Sequence, residues 1–448
     1  MKAEHSPFTF SGGIHPSYCK ELSAGAAIRK IAIPQHLVVP LSQHLGAPAK
    51  PIVKPGDIVK RNQLIGEATG FISAPVHAPV GGKVTALTET TTATGKIAPA
   101  IIIEPSEQEE VECLPRLGDW HKITPATLIA RIGEAGVVGM GGAGFPTRVK
   151  LSPPPEKRID TVIINGAECE PYLTADHRMM LEHAKEIRIG AEIIRHVLGA
   201  QTLRIAIEDN KPDAIEAMKQ ALQGIEGDVE VAILHTSYPQ GAEKQQIYSV
   251  TGRQVPRGGL PMDVGCVVEN VSTAFAIYDA VINGQPLTHR VISVSGDAIT
   301  MPSNLWVPSG TSHHALVKEC GGLKSPVAKV ISGGPMMGFA VTTLEIPTTK
   351  TSSGLLLLSA ASVTAYTSQA CISCGRCVDS CPMRLSPCEM SQCIEANDID
   401  GAASISLMDC IECGSCAYVC PAHRPLVHHF RRGKGVVAAR RAATAGKK

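Results

Sequence analysis

Eight cysteines in two runs are the residues of this chain best equipped for chemistry. The first run reads Cys371-Ile-Ser-Cys374-Gly-Arg-Cys377-Val-Asp-Ser-Cys381-Pro382, and the second Cys410-Ile-Glu-Cys413-Gly-Ser-Cys416-Ala-Tyr-Val-Cys420-Pro421. Each is Cys-x2-Cys-x2-Cys-x3-Cys-Pro, the spacing at which thiolates hold [4Fe–4S] clusters. Three thiolates spaced in this way on a tight loop can face three iron corners of one cube. The fourth follows a short helical turn, points away and serves the neighbouring cube. Cys371, Cys374, Cys377 and Cys420 are therefore expected on one cluster, and Cys410, Cys413, Cys416 and Cys381 on the other. Zinc sites commonly use two Cys-x2-Cys pairs and need no third Cys at this spacing. A disulfide framework belongs to short secreted chains, whereas this one has 448 residues and no expected leader. The expected chemistry is one-electron transfer.

A second constellation lies upstream. Gly139-Met-Gly141-Gly142-Ala143-Gly144-Phe145-Pro-Thr-Arg-Val-Lys150 satisfies Gly-x-Gly-x-x-Gly. The dinucleotide version of that motif needs a strand before it and a helix opening at its third Gly, whereas here a helical pattern precedes it and Phe-Pro follows. What the residues do supply is a loop whose bare backbone N–H groups can approach phosphate, with Lys150 placed to add charge. The plain alternative is a Gly-rich turn with no ligand. After the next expected strand, Asn165-Gly166-Ala167-Glu168-Cys169-Glu170-Pro171 sets an amide and two carboxylates where a parallel sheet exposes its ligand edge.

Elements to position these groups can be read from pattern. Length predicts two to four domains. A net charge of +1 gives no bulk attraction to nucleic acid or acidic lipid, and no nucleic-acid partner is expected. Fifteen cysteines without a leader point to a reducing compartment. Most of the seven outside the motifs, Cys388 and Cys393 included, are expected to be buried thiols. No apolar run approaches the ~18 residues of a membrane span, the nearest being 354–361. Short strands are expected at 31–33, 36–40, 57–59, 63–67, 83–86 and 100–104. From 122 the pattern alternates. Thr124 and Pro125 open a helix with Leu128, Ile129 and Ile132 on its apolar stripe. Strands are expected at 161–164, 203–207 and 229–234, with one helix running through Met180 and Leu198 to Gly199 and another from Pro212. Such alternation gives a mostly parallel sheet. A β-rich unit follows, with strands at 290–295 and 328–332 and a helix at 313–320. His313 and His314 read as ordinary, and Gly333 to Gly338 as a structural turn. From Arg431 on there are seven basic residues and no acidic one, which predicts a solvated, disordered tail.

Several stretches resemble known families. Pro55-Gly56-Asp57 and Ala78-Pro79-Val80-Gly81-Gly82-Lys83-Val84 resemble the barrel-sandwich fold of biotinyl and lipoyl carriers. No modifiable Lys stands near Ser73-Ala74-Pro75-Val76-His77, so the fold is read as kept for structure or docking, with His77 as a turn residue. The Gly loop with Asn165, Glu168, Glu170 and Pro171 resembles the flavin site of the 51-kDa subunit of respiratory complex I, departing from it at Met140 and Ala167. Tyr238-Pro239-Gln240-Gly241-Ala242-Glu243-Lys244 and Val268-Glu269-Asn270-Val271-Ser272-Thr273 resemble two further loops of that site. The β-rich unit resembles the soluble-ligand-binding β-grasp domain.

The whole order, beginning with Phe10-Ser11-Gly12-Gly13-Ile14-His15-Pro16, resembles the RnfC-type components of Rnf (Rsx) ion-translocating complexes. This resemblance implies a multidomain α/β chain with a barrel-sandwich β domain, a Rossmann-like α/β flavin/NADH domain, a β-grasp domain and an α+β two-cluster ferredoxin domain. The boundaries read as 1–30 for an N-terminal arm, 31–108 for the barrel-sandwich, 109–285 for the FMN/NADH domain, 286–350 for the β-grasp, 360–432 for the ferredoxin domain and 433–448 for the basic tail. It further implies FMN, NAD(H) and two [4Fe–4S] clusters, integral-membrane and ferredoxin-like partner subunits, a peripheral place on the cytoplasmic face of the bacterial inner membrane, and coupling to Na⁺ or H⁺ movement. In that scheme the backbone of Gly139, Gly141, Gly142, Ala143 and Gly144 holds phosphate with Lys150. Phe145 is the stacking platform and Asn165 and Glu168 orient the rings, with Glu170, Glu243 and Asn270 completing the site. A cobalamin reductase-like protein, a diaphorase module and a non-enzymatic electron-relay scaffold are the alternatives.

Overall fold

Turn residues cut the first hundred residues into short runs, and each run pairs as a strand. In the computed structural model, which describes residues 8–142 and 144–445, these are β1 (Ile28–Lys30), β2 (Leu37–Pro40), β3 (Lys50–Pro51), β4 (Ile58–Val59), β5 (Leu64–Glu67), β6 (Val76–His77), β7 (Gly82–Thr91) and β8 (Ile97–Pro105). Sheets β2-β8-β7-β4 and β3-β5-β6 enclose Leu37, Val39, Ile65, Val84, Ile101 and Ile103, the period-two positions of their strands. His77 is a buried strand residue rather than a turn residue, and burial drives its imidazole down to about 3. No strand forms at 31–33, because the chain leaves its sheet before Pro34, which has no N–H to pair. Nor do residues 8–30 hang free as an arm. Phe8 bridges to Leu234, Ile14 to Tyr238, and β1 joins a distant sheet.

The central unit comprises α1 (Pro125–Glu134), α2 (Thr147–Lys150), β9 (Thr161–Asn165), α3 (Ala175–Glu182), α4 (Ala184–Leu198), β10 (Thr202–Glu208), α5 (Pro212–Ala221), β11 (Asp228–Leu234), α6 (Glu243–Thr251), β12 (Cys266–Asn270) and α7 (Val271–Tyr278). The Thr124 hydroxyl accepts the Thr127 N–H and Pro125 occupies the first turn of α1, the start expected from their chemistry. Its four strands run parallel in the order β11-β10-β9-β12. The single helix expected through Met180 and Leu198 is broken at His183, whose ring packs on Phe275 of α7 at 4.8 Å. That break lets α4 follow α7 while α3 meets α5 and the first turn of α7. Gly199, at φ 63°, ends α4 as expected.

A six-stranded sheet of order β1-β14-β13-β17-β15-β16 follows, built from β13 (His289–Ser295), β14 (Ser303–Pro308), β15 (Lys329–Ser332), β16 (Phe339–Val341) and β17 (Gly354–Leu358), with α8 (His313–Glu319) beside it. It draws β1 and β17 from outside the range 286–350. All five residues of β17 are buried, which is why that stretch reads as an unbroken apolar run.

The cysteine region holds α9 (Arg376–Asp379), α10 (Pro387–Glu395), α11 (Ile399–Ser404), α12 (Ser415–Tyr418) and α13 (Leu426–Ala445). Residues 433–445 are not disordered, as expected from charge, but continue α13. Carboxylates from distant positions neutralise its cations: Arg431 and Lys434 bind Glu412 at 3.0 and 2.8 Å, and Arg440 binds Asp400 at 2.9 Å. Val437 is buried and Gly433 sits against Leu407 and Ile394. Residues 446–448, with the last two lysines, lie outside the described residues. Among the described residues no helix is long and apolar enough to cross a membrane.

Candidate functional site

The two cysteine runs form a structural repeat, each position of the second lying 39 residues after its counterpart, as Cys410 follows Cys371. Left-handed residues recur in register: Ser373 with Glu412 (φ 53° and 57°), Gly375 with Gly414 (77° and 87°) and Arg384 with His423 (53° and 49°). These reversals wrap each loop around its thiols, and the N–H groups of Leu385 and Glu412 reach the sulfurs of Cys381 and Cys410, both at 3.4 Å. Cys371, Cys374, Cys377 and Cys420 line one cavity, and Cys381, Cys410, Cys413 and Cys416 line another. The crossing of Cys381 and Cys420 between runs is the arrangement expected from spacing. Among the described residues no three His, Cys, Asp or Glu side chains converge on a single-ion position. A ring of thiols around a cavity instead suits a cuboid of iron and sulfur. Burial pushes the thiols of Cys377 and Cys410 up to about 12 and about 11, so binding metal must displace their protons.

The other seven cysteines are less uniform than expected. Cys169, Cys266 and Cys320 are buried, Cys19, Cys388 and Cys393 half-buried, and Cys113 exposed. Cys388 also lines the first cavity, because it opens α10 directly beneath the loop.

The Gly loop lies between α1 and α2. Its neck is closed by the Gly139 N–H, which donates to the Phe145 carbonyl at 2.9 Å. A methyl group on Gly141 would stand 3.0 Å from Cβ of Asn270, and one on Gly144 (φ 67°) 2.5 Å from Cγ2 of Thr351, so both positions need a bare backbone. Gly142 faces open space, Phe145 is half-buried, and Ala143 lies outside the described residues. Met140, where the complex I family carries Arg, is buried in the main core, and its N–H donates to the Thr273 hydroxyl at 3.0 Å.

Most polar groups expected at the sheet edge have protein partners. Asn165 donates to the Gly241 carbonyl (2.9 Å) and accepts from the Ala167 N–H and the Gln246 amide (3.0 and 2.7 Å). The Glu168 carboxylate accepts the N–H groups of Asp176 and His177 at the start of α3 (2.8 and 3.1 Å), and Glu170 those of Met336 and Met337 (3.0 and 2.8 Å). Burial pushes Glu170 up to about 7 even so. Gly333 to Gly338 is thus a structural turn, as expected, with Glu170 as its anchor. Asn270 accepts from Ser272 N–H and donates to Asp176 (2.8 and 2.6 Å), a residue that no sequence motif singles out. Burial raises Asp176 to about 6, with Glu168 adding to the shift. Lys150 does not stand free over the Gly loop. It pairs with Glu243 at 2.9 Å, lies 3.9 Å from Glu269 and donates to the Val268 carbonyl.

Two buried amides at the sheet edge are incompletely satisfied. Gln240 is fully buried with neither amide atom partnered, and Gln246 Oε1 is likewise unpartnered, among the described residues. Buried amides without partners mark where a polar ligand edge fits. Beneath them, Lys211 ties the loop in place by donating to the Ala167 carbonyl, Asn210 and the fully buried Glu208 (2.7, 2.9 and 2.8 Å). Lys211→Met should cost about 3–5 kcal/mol, because it strands a buried carboxylate. Denaturant unfolding measures the loss, and Lys211→Met combined with Glu208→Leu should recover much of it.

Residues 132–279 match the Nuo51 FMN-binding domain, 8–108 the RnfC barrel sandwich hybrid domain, 291–340 the SLBB domain and 365–421 the 4Fe-4S dicluster domain. Over 94% of its length the chain is 47% identical to the RnfC-type component of the proton-translocating ferredoxin:NAD(+) oxidoreductase complex of Clostridium ljungdahlii, spanning 93% of that protein. It is 44% identical to the corresponding component of the Na(+)-translocating ferredoxin:NAD(+) oxidoreductase complex of Acetobacterium woodii, over 98% of this chain and 99% of that one. The corresponding component of the ion-translocating oxidoreductase complex of Rhodobacter capsulatus is 42% identical over 97% of this chain and 84% of its own length. A crystal structure of air-oxidized NAD+-reducing [NiFe]-hydrogenase shares the fold, with a TM-score of 0.50 at 19% identity, over 73% of this chain and 68% of that one. With these four domains and these relatives, the chain belongs to the RnfC family of components of ion-translocating oxidoreductase complexes.

Proposed function

We propose that this chain is a peripheral electron-transfer subunit of a membrane-bound ion-translocating oxidoreductase complex, working between NAD(H) and the iron–sulfur partners of that complex. The observation that carries this reading is the pairing of two crosswise four-thiol cavities with a Gly loop at the carboxyl end of a parallel sheet, all in one chain. FMN held here would supply hydride exchange with NAD(H), and [4Fe–4S] clusters in the two cavities would carry one electron each.

The chain's own residues bind and orient. The Gly141 and Gly142 backbone offers N–H groups to phosphate beside the N-terminus of α7, where Asn270 caps the helix, while the Gly139 N–H closes the neck of the loop. Phe145 supplies an aromatic face, and Gln240 and Gln246 the polar edge. Glu168 and Glu170 act one step back, fixing α3 and the 336–337 turn around the site. Lys150 balances the charge of Glu243 and Glu269. The eight motif cysteines hold the clusters. No group needs to act as acid or base on substrate. Docking sets the chain on the cytoplasmic face of the inner membrane, and integral partner subunits carry the ion. Of the three relatives named above, one belongs to a complex named as proton-translocating and another to a complex named as Na(+)-translocating.

An anaerobic NADH titration of the reconstituted chain with added FMN tests this. Flavin absorbance should bleach and reduced-cluster EPR signals should appear, whereas Gly141→Val should lose flavin and NADH reduction with its iron intact. Clusters that form but stay oxidised at every NADH level, with flavin present, would sink the reading in favour of a relay scaffold.

A further inference from the structure

The two halves of the cysteine repeat meet different surroundings. In the first, residues 371–374 are all exposed, Ile372 at 66%. In the second, the matching residues 410–412 are half-buried and 413 is buried, as are 414–416. Parts of three other units cover that second loop. The Tyr238 hydroxyl donates to the Cys413 carbonyl at 2.7 Å, and Tyr238, Cys413, Cys169 and Ile14 form one apolar cluster with Met336 against it. A methyl on Gly414 would lie 3.1 Å from the Met336 carbonyl, in the turn that Glu170 anchors. Ile14 and Tyr238 exchange two backbone hydrogen bonds of 2.9 Å, while the adjacent Gly13 N–H donates to the Ser380 carbonyl at 3.0 Å, next to Cys381. Arg257 holds Asp409 at 2.9 Å. On its other side Tyr238 leads into Gln240 and Gly241, and the Gly241 N–H reaches the Cys169 sulfur at 3.2 Å. Cys413 and Cys381 line the same cavity. A continuous path of contacts therefore joins the sheet edge to the second cavity, and to that cavity first.

We propose that the Cys381, Cys410, Cys413 and Cys416 site is the inner electron port facing the flavin domain, that the Cys371, Cys374, Cys377 and Cys420 site is the outer port facing the partner, and that Tyr238 is the positioning residue holding the inner loop to the flavin domain. This rests on the electron-transfer reading above and adds an order and a residue to it. Electron transfer falls steeply with distance, so the contacted site receives first and the exposed site delivers. In the direction from NADH, one NADH yields NAD⁺, a proton and two electrons, and two oxidised iron–sulfur partner proteins are each reduced once.

The test is a footprint of the reconstituted holoprotein. Under limiting ferricyanide with a ferrous chelator, iron is removed to half its starting value, and freed thiols are alkylated with iodoacetamide and mapped by peptide mass. Cys371, Cys374, Cys377 and Cys420 should be labelled, with the other four at least about tenfold slower, as expected for the less exposed loop. Tyr238→Phe, which keeps the ring and loses the hydroxyl, should speed labelling of the inner four and shift the midpoint potential of one EPR signal only. Equal labelling of all eight, or earlier labelling of the inner four, overturns the order, and wild-type protein alone decides this. A Tyr238→Phe shift confined to the outer site, or absent from both, overturns the role of Tyr238. If the chain retains no iron–sulfur cluster before oxidation, the electron-transfer reading itself fails, a result distinct from either.

Discussion

Replacing Cys420 with Ser should empty the cavity of the first cysteine run and leave that of the second filled, although Cys420 belongs to the second run in sequence. Reconstituted Cys420→Ser should hold about half the iron of the parent, as expected when one of two four-thiolate sites is broken. One EPR signal should go and the other persist. Cys381→Ser should do the converse. The expectation rests on the lining of the two cavities, in which each run gives three thiols to its own site and one across. A serine hydroxyl keeps the shape but does not offer a soft thiolate to iron. Cys388→Ser is the control. Cys388 faces the same cavity as Cys420, so a chain that used it as a ligand would lose iron with this variant too; full iron retention is expected. Loss of the second-run signal in Cys420→Ser would show that each run closes its own site, and the crosswise arrangement would be wrong.

The cysteine sites were legible in sequence because their geometry is local. Six left-handed residues and two short helical turns, all within or just beyond the runs, set where the thiols point. The start of α1 was legible for the same reason, since Thr124 and Pro125 act on their own neighbours. What depends on distant partners was not. The carboxylates Glu168 and Glu170 look in sequence like ligand groups at a sheet edge. In space they accept the N–H groups of Asp176 and of Met336, the latter 166 residues away. Strand β1 extends, and β17 enters, a sheet whose ends seemed clear in sequence, because pairing Ile28 with Asn304 and Ser293 with Gly354 is a long-range event. A run of cations predicts disorder only while the carboxylates that meet them, Glu412 and Asp400, are out of view. Met140 reads in sequence as a departure from the complex I family's loop, and in space it is a residue of the main core.

Gly190→Ala should be the most destabilising single-methyl change in the chain's central unit. Gly190 is in the middle of α4, where Ala is ordinarily favoured over Gly by about 1 kcal/mol. Here a methyl would stand 1.8 Å from the carbonyl oxygen of Ala274 in α7, a backbone atom that no rotamer change can move. The helices must separate, and overpacking of that kind costs ~1–3 kcal/mol or more. The damage should reach the flavin site, since the first turn of α7 carries Ser272, which donates to Asp176 at 2.7 Å, and Thr273, which accepts the Met140 N–H of the Gly loop. Gly435→Ala supplies the contrast. It also lies inside a helix, with nothing within 4 Å of the added methyl, so it should be neutral or stabilise by up to about 1 kcal/mol. Denaturant unfolding with flavin and iron counts on both variants separates the effects: Gly190→Ala should lose stability and flavin together while its iron, held by a unit that packs on its own core, stays. If Gly190→Ala behaves like Gly435→Ala, then α4 and α7 do not meet backbone to backbone, and the account of how the Gly loop is held from beneath fails with them.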